Sequence, residues 1–224
     1  MKLIAILLLF TFPLFAKLTN EQKKSLIKTT KWLAKHDLRY AKPWTPPEGG
    51  KSINMDCSNT VRYVYKKSIG IEVPSGGSYD IYIYYKKKKL TAFTPLNKDK
   101  TINVERLRKK LRSGDLLFWV NTHSDINPNH HPPISHVMIY LGVEKKSRLM
   151  KMVGSNTSGH GVITKGGGPD IYVFDPLKQL GCVRKVKSNK KSACIPGKES
   201  KFFAYARPVA GSNRAETTSH LRSR

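Results

Sequence analysis

The sequence predicts an α+β protein in which N-terminal helices pack on an antiparallel sheet or open barrel. Three observations lead there. Apolar residues recur at helical intervals through the first half of the chain, β-branched and aromatic runs bounded by turn residues fill the second half, and the two kinds of element are segregated. At 224 residues the chain suits one domain with a real core.

The first sixteen residues combine a positive start at Lys2, an apolar run from Leu3 to Phe15 and the small residue Ala16, the pattern of a secretory signal peptide over 1–16. The run is too short to span a bilayer comfortably. Leu14 at the minus-three position leaves retention as an amphitropic anchor as the alternative. From Thr19, Thr-Asn-Glu-Gln has the form of a capping box, and Leu26, Ile27, Thr30, Leu33 and Ala34 continue it as a helix ending near His36. Prolines and adjacent glycines make Asp37 to Met55 a loop, with Tyr40 and Trp44 as anchors.

Val61, Val64, Tyr65 and Ile69 then mark a helix that Gly70 stops, and Asp80 to Tyr85 leans to a further one. Val104, Leu107 and Leu111 give a short basic helix. Strands are expected at Leu116–Val120, His136–Leu141, Leu149–Val153, Ile171–Phe174 and Phe202–Arg207, with a short one at Val162–Ile163. From Val209 the composition is that of a basic flexible tail, so the domain proper should occupy 17–208.

A formal charge of +26, from 41 Lys and Arg against 15 Asp and Glu, calls for an anionic partner. No nucleic-acid motif surrounds the basic runs. With an export signal ahead of them, peptidoglycan or another anionic wall polymer is the expected partner, nucleic acid is not, and membrane contact is at most transient. The protein is expected to be a monomer, secreted or periplasmic in the cell envelope. A solvated basic face is the plain alternative.

Three cysteines are an odd number, which in an oxidising compartment means one bridge and one free thiol. Cys182 and Cys194 flank a short basic loop, Val183 to Ala193, and are the natural pair. Cys57 remains. It stands where a polar loop becomes a helix, between the capping residues Asp56 and Ser58, and the unpaired N–H groups of a first helical turn favour thiolate over thiol. A lone thiol in an exported protein points to nucleophilic chemistry. Its base should be a histidine, and of the seven in the chain His136 stands out, because it opens a strand that would hold it rigidly. With Val137, Ile139 and Leu141 facing the core, His136, Met138 and Tyr140 face the other side, where the cysteine helix is expected.

Together, Asp56-Cys57-Ser58 opening a helix, Arg112 to Phe118 before a strand, and Ile134-Ser135-His136-Val137-Met138-Ile139-Tyr140-Leu141-Gly142 resemble the signature of the NlpC/P60 cysteine peptidases. The resemblance runs from about Tyr40 to Phe174, with Lys201 to Pro208 similar to the closing strand. It implies a papain-like α+β fold and hydrolysis of amide bonds in peptidoglycan stem peptides, often between D-γ-glutamate and a diamino acid. By that resemblance Cys57 is the nucleophile, His136 the base and Tyr40 an oxyanion donor. Asp56, Ser58, Ser75 and Ser135 would then stand on the substrate side.

Two departures bear on the site. Asn59 replaces the glycine that usually follows Asp-Cys-Ser. Gly154 stands where the family has the polar residue that orients the histidine, which leaves Asn156, on the same strand face, and His160 as candidate orienters. His123, Asp125, His130 and His131 share one loop, but their spacing matches no metal-ligand motif and a polar lip over the cleft is expected. No cofactor or metal is expected. The sequence thus predicts an exported cysteine hydrolase of cell-wall peptide. The alternatives are a catalytically weak or inactive wall-binding module with the same shell, and an amidase or acyl transferase using the same Cys/His pair.

Overall fold

The computed structural model describes residues 18–157, 159, 161–186 and 192–208. The expected signal segment and basic tail lie outside the described residues. Helix α1 (Asn20–Ala34) starts at the capping box expected from the sequence, with Thr19 and Gln22 bonded reciprocally at 2.9 and 3.1 Å. It buries Leu26, Thr30, Leu33 and Ala34. Two short strands, β1 (Pro43–Trp44) and β2 (Ile53–Asn54), pair within the segment expected to be loop. Helix α2 (Cys57–Ile69) is capped by Asp56 and closed by Gly70 at φ 68°, a conformation glycine adopts without strain. Helix α3 (Ser78–Lys87) bears out the lean to helix over Asp80–Tyr85.

Strand β3 (Thr91–Phe93) and helix α4 (Val104–Lys110) precede the main strands β4 (Leu116–Val120), β5 (Ile134–Val143), β6 (Met150–Asn156) and β7 (Gly168–Val173). Strands β8 (Cys182–Val186) and β9 (Ser192–Glu199) form a separate hairpin, and β10 (Lys201–Ala206) returns to the centre. The six-stranded sheet has the order β3-β10-β4-β5-β6-β7 with antiparallel neighbours. It remains open at β3 and β7. The fold is therefore α+β with an open antiparallel sheet.

Side-chain alternation along β4 and β5 divides the core in two. Leu116, Phe118, Val137 and Ile139 meet Leu26, Val61, Val64 and Ile81 of the first three helices. Leu117, Trp119, Met138 and Tyr140 form the other layer with Leu107 of α4, Phe174 and Phe202. This corrects one expectation: α2 packs on the Val137/Ile139 face and not on the face of His136, Met138 and Tyr140. The aliphatic stripe of α2 finds its complement in the β-branched face, where each fully buried Val, Leu or Ile contributes roughly 1.5–3 kcal/mol.

Two local expectations also change. Val162 and Ile163 form no strand, because the buried carboxylate of Asp170 accepts from Ile163 N at 2.8 Å and Thr164 N at 2.6 Å and curls the segment back. The basic segment expected to be a loop contains the β8–β9 hairpin, joined by the Cys182–Cys194 disulfide with Cα atoms 5.6 Å apart.

Candidate active site

Strand β5 has a neighbour on its β6 side only from Ile139, which pairs with Val153. Further along β6, Gly154, Ser155 and Asn156 pair with β7 alone, so the sheet parts between Val137 and Ser155. The segment leading into α2 enters that gap. Ser155 Oγ donates to the Met55 carbonyl at 2.8 Å, fixing the approach, and Cys57 follows two residues later. Tyr140 exchanges backbone bonds with Gly114 and Asp115 on the β4 side, so alternation turns the N–H of Val137 the other way, into the gap. It donates there to the sulfur of Cys57. The thiol thus lies against the strand one residue from His136.

Two more donors converge on the sulfur, the Tyr40 hydroxyl and the backbone N–H of Ser58. Tyr40 also accepts from the backbone N–H of Cys57, and its own acidity is suppressed, first by burial and then by Cys57. The expected oxyanion donor and the nucleophile are therefore in contact. Cys57 is 5% exposed, and that burial pushes its thiol up to about 11, with the Asp56 carboxylate pushing the same way and the three donors opposing. The N–H of Ser58 at the helix start favours thiolate as expected, but desolvation of the buried sulfur outweighs it.

His136 is likewise 5% exposed, and burial lowers it to about 4, helped by the nearby His123. Its ring meets the edge of Trp119 at a centroid distance of 5.8 Å. At neutral pH the two groups rest as thiol and neutral imidazole. Thr122 is tied to Ser135 through its N–H and its hydroxyl, at 2.8 and 2.9 Å, which brings His123 toward His136. The hydroxyl of Ser135 is thereby engaged within the protein.

Nε2 of His136 is buried without a partner among the described residues. Gly154 has no side chain to give it, and a Cβ there would collide with the sulfur of Met138, which fills the space. Asn156 is not joined to His136: its carboxamide oxygen accepts from Thr157 N at 2.9 Å. His160 lies outside the described residues.

Asp56 is fully occupied as a cap, accepting from Ser58 Oγ at 2.8 Å and from Asn59 N at 2.7 Å. Asn59, the departure from the glycine of the family, bonds the Asn54 carbonyl at 2.7 Å through Nδ2 and accepts from Arg62 at 2.5 Å. Arg62 continues to the Gly76 carbonyl at 2.5 Å, tying the start of α2 to the turn that carries Ser75, which is exposed. Sequence reasoning missed Arg62, although its spacing of three from Asn59 on one helix was the available signal. It also missed Met138 as the filler of the Gly154 position. In the His123–His131 loop, the ring of His130 stacks on Tyr79 of α3 at 3.7 Å, 6° from parallel, and ties the loop to that helix. Among the described residues no group of three side chains fits a metal ion.

Residues 46–165, a little over half of the chain, match the model of the NlpC/P60 family. No curated protein and no solved structure matches the chain.

Proposed function

This chain belongs to the NlpC/P60 family of cell-wall hydrolases, and from that premise we propose that it is an exported cysteine hydrolase cutting an amide bond of peptidoglycan stem peptides. What carries the reading is the seat of the Cys57 thiol, wedged into the parted sheet against Val137, the neighbour of His136 along β5, and under the Tyr40 hydroxyl.

In this mechanism the sulfur attacks the amide carbonyl while its proton passes to His136, which is neutral and able to accept it. The carbonyl oxygen becomes an oxyanion beside the helix start. Tyr40 and the N–H of Cys57, bonded to each other at rest, turn to it as donors. Collapse breaks the C–N bond, and the imidazolium hands its proton to the leaving amine. Water then attacks the thioester, its proton going to His136 and onward to the departing sulfur, and the carboxyl product leaves. No group beyond the chain itself and water enters these steps.

The positive surface would hold the anionic wall in the cell envelope, and the apolar start of the chain would direct export. A second reading, a weak or inactive wall-binding module, is favoured by the unpartnered Nε2 of His136 and by Met138 in the orienter's place. Digestion of purified muropeptides followed by mass spectrometry separates the two. The hydrolase releases a cleaved stem peptide, and Cys57→Ala and His136→Ala do not. Wall binding with no product from the parent protein would establish the module instead.

A further inference from the structure

We infer that Trp119 is the positioning residue of His136: its indole, clamped from behind by other rings, sets the direction of the imidazole in the place of a polar orienter. The inference rests on the hydrolytic reading above. A base that carries a proton from the sulfur to the leaving amine has to hold one ring direction through both transfers. Among the described residues nothing polar enforces it. Nε2 of His136 is buried without a partner, the sulfur of Met138 fills the space beside Gly154, and Asn156 is bonded to Thr157. The one aromatic ring recorded against His136 is that of Trp119, edge-on at 5.8 Å between centroids and 63° between planes.

The backbone builds this contact. Trp119 on β4 lies directly across from His136 on β5 and from Phe202 on β10. Directly opposed residues share a face of the sheet, so the three rings stand in one row. On each side of Trp119 the register slips by one residue, at Ser135 on β5 and at Phe203 on β10, and bulges of this kind re-aim the side chains beside them.

The indole is itself held. Phe202 and Phe174 meet it edge-on, at 5.2 and 5.8 Å between centroids. Trp119 is fully buried and its Nε1 has no partner among the described residues, so rings and not a hydrogen bond fix it. A side chain packed on that scale has little room to yield, and the imidazole lying against it is confined in turn. The ionisable group that bears on His136 is His123, beyond the end of β4, which opposes a positive charge there.

The test compares Trp119→Phe with Trp119→Leu in the full-length protein. Both remove similar volume and cost similar stability, while only Phe keeps a ring against the imidazole. On small muropeptides Trp119→Leu lowers kcat about 10²-fold with KM nearly unchanged, and Trp119→Phe recovers most of that loss. Equal kcat in the two folded variants, or a loss carried by KM, overturns the inference. Where Trp119→Leu does not fold, an NMR titration of Cys57→Ala decides, because it leaves the core intact. The indole N–H resonance of Trp119, assigned through its contacts to Phe202, shifts with the midpoint of the His136 ring and keeps that shift in His123→Gln. A resonance that stays flat through the midpoint, or follows His123 instead, overturns the positioning role. The titration needs no turnover, so a flat indole in an active parent removes Trp119 alone, whereas a parent that releases no product removes the hydrolytic reading and this inference with it.

Discussion

Alkylation of Cys57 as a function of pH reads the resting state of the site directly. With the thiol at about 11, about one molecule in 3,000 is thiolate at pH 7.5, against about one in ten for a free cysteine near 8.5. Ionisation alone thus slows reaction by about 300-fold. The more basic thiolate recovers roughly tenfold through its greater nucleophilicity, so iodoacetamide should modify Cys57 some twentyfold or more slower than glutathione at about pH 7.5. Burial slows it further. The sign follows from the two shifts: His136 at about 4 is already neutral throughout the neutral range, so no imidazolium pairs with a thiolate there, and the rate climbs about tenfold per unit from pH 6 to pH 9. The assay is quenched alkylation with intact-mass readout; the parent has one free cysteine among the described residues, and Cys57→Ala is the blank. A plateau between pH 5 and pH 8, with a midpoint below 7, would mean a preformed thiolate–imidazolium pair and would refute the reasoning.

Three further outcomes follow from the same contacts. Tyr40→Phe removes the hydroxyl that touches both the sulfur and the N–H of Cys57, and should lower kcat about 10²–10³-fold with little change in KM; a change confined to KM would remove Tyr40 from the oxyanion site. Arg207→Ala strips the two 2.9 Å bonds from the buried Asp115 carboxylate, and urea unfolding should show a loss of about 3–5 kcal/mol, whereas a loss below about 1 kcal/mol would place that carboxylate in contact with water. Replacing Cys182 and Cys194 by serine frees the β8–β9 hairpin, closed over a separation of 12 residues, and should cost about 3 kcal/mol in the chain-entropy model; an unchanged unfolding midpoint contradicts this.

Much of the fold was legible because local chemistry and tertiary packing agree. The Thr19 capping box, the Gly70 stop and the aliphatic stripe of α2 all sit where the spacing put them. Strands β4 and β10 needed only composition. What failed to show was decided across the chain. Asp170 holds two amides of the Val162–Thr164 segment from six and seven residues further along, beyond the two-residue alternation by which that segment reads as strand. The face on which α2 lies depends on which side of β5 has a complementary partner, and alternation gives two faces without ranking them. At the site, Cys57, His136 and Tyr40 were readable as residue types in order. Their protonation was not, because burial of the sulfur depends on the parting of β5 from β6, which no local pattern encodes. The exchange of a side chain at 154 for the sulfur of Met138 is likewise visible only where the two strands lie side by side.

The central claim is that the thiol of Cys57 and the imidazole of His136 work as one hydrolytic pair. Mass spectrometry of muropeptides incubated with the parent protein, Cys57→Ala and His136→Ala tests it most directly. The account predicts stem-peptide fragments from the parent whose summed mass exceeds that of the substrate by one water per cut bond, and none from either variant. Full release by His136→Ala, or none by the parent at any pH from 5 to 9, would contradict it.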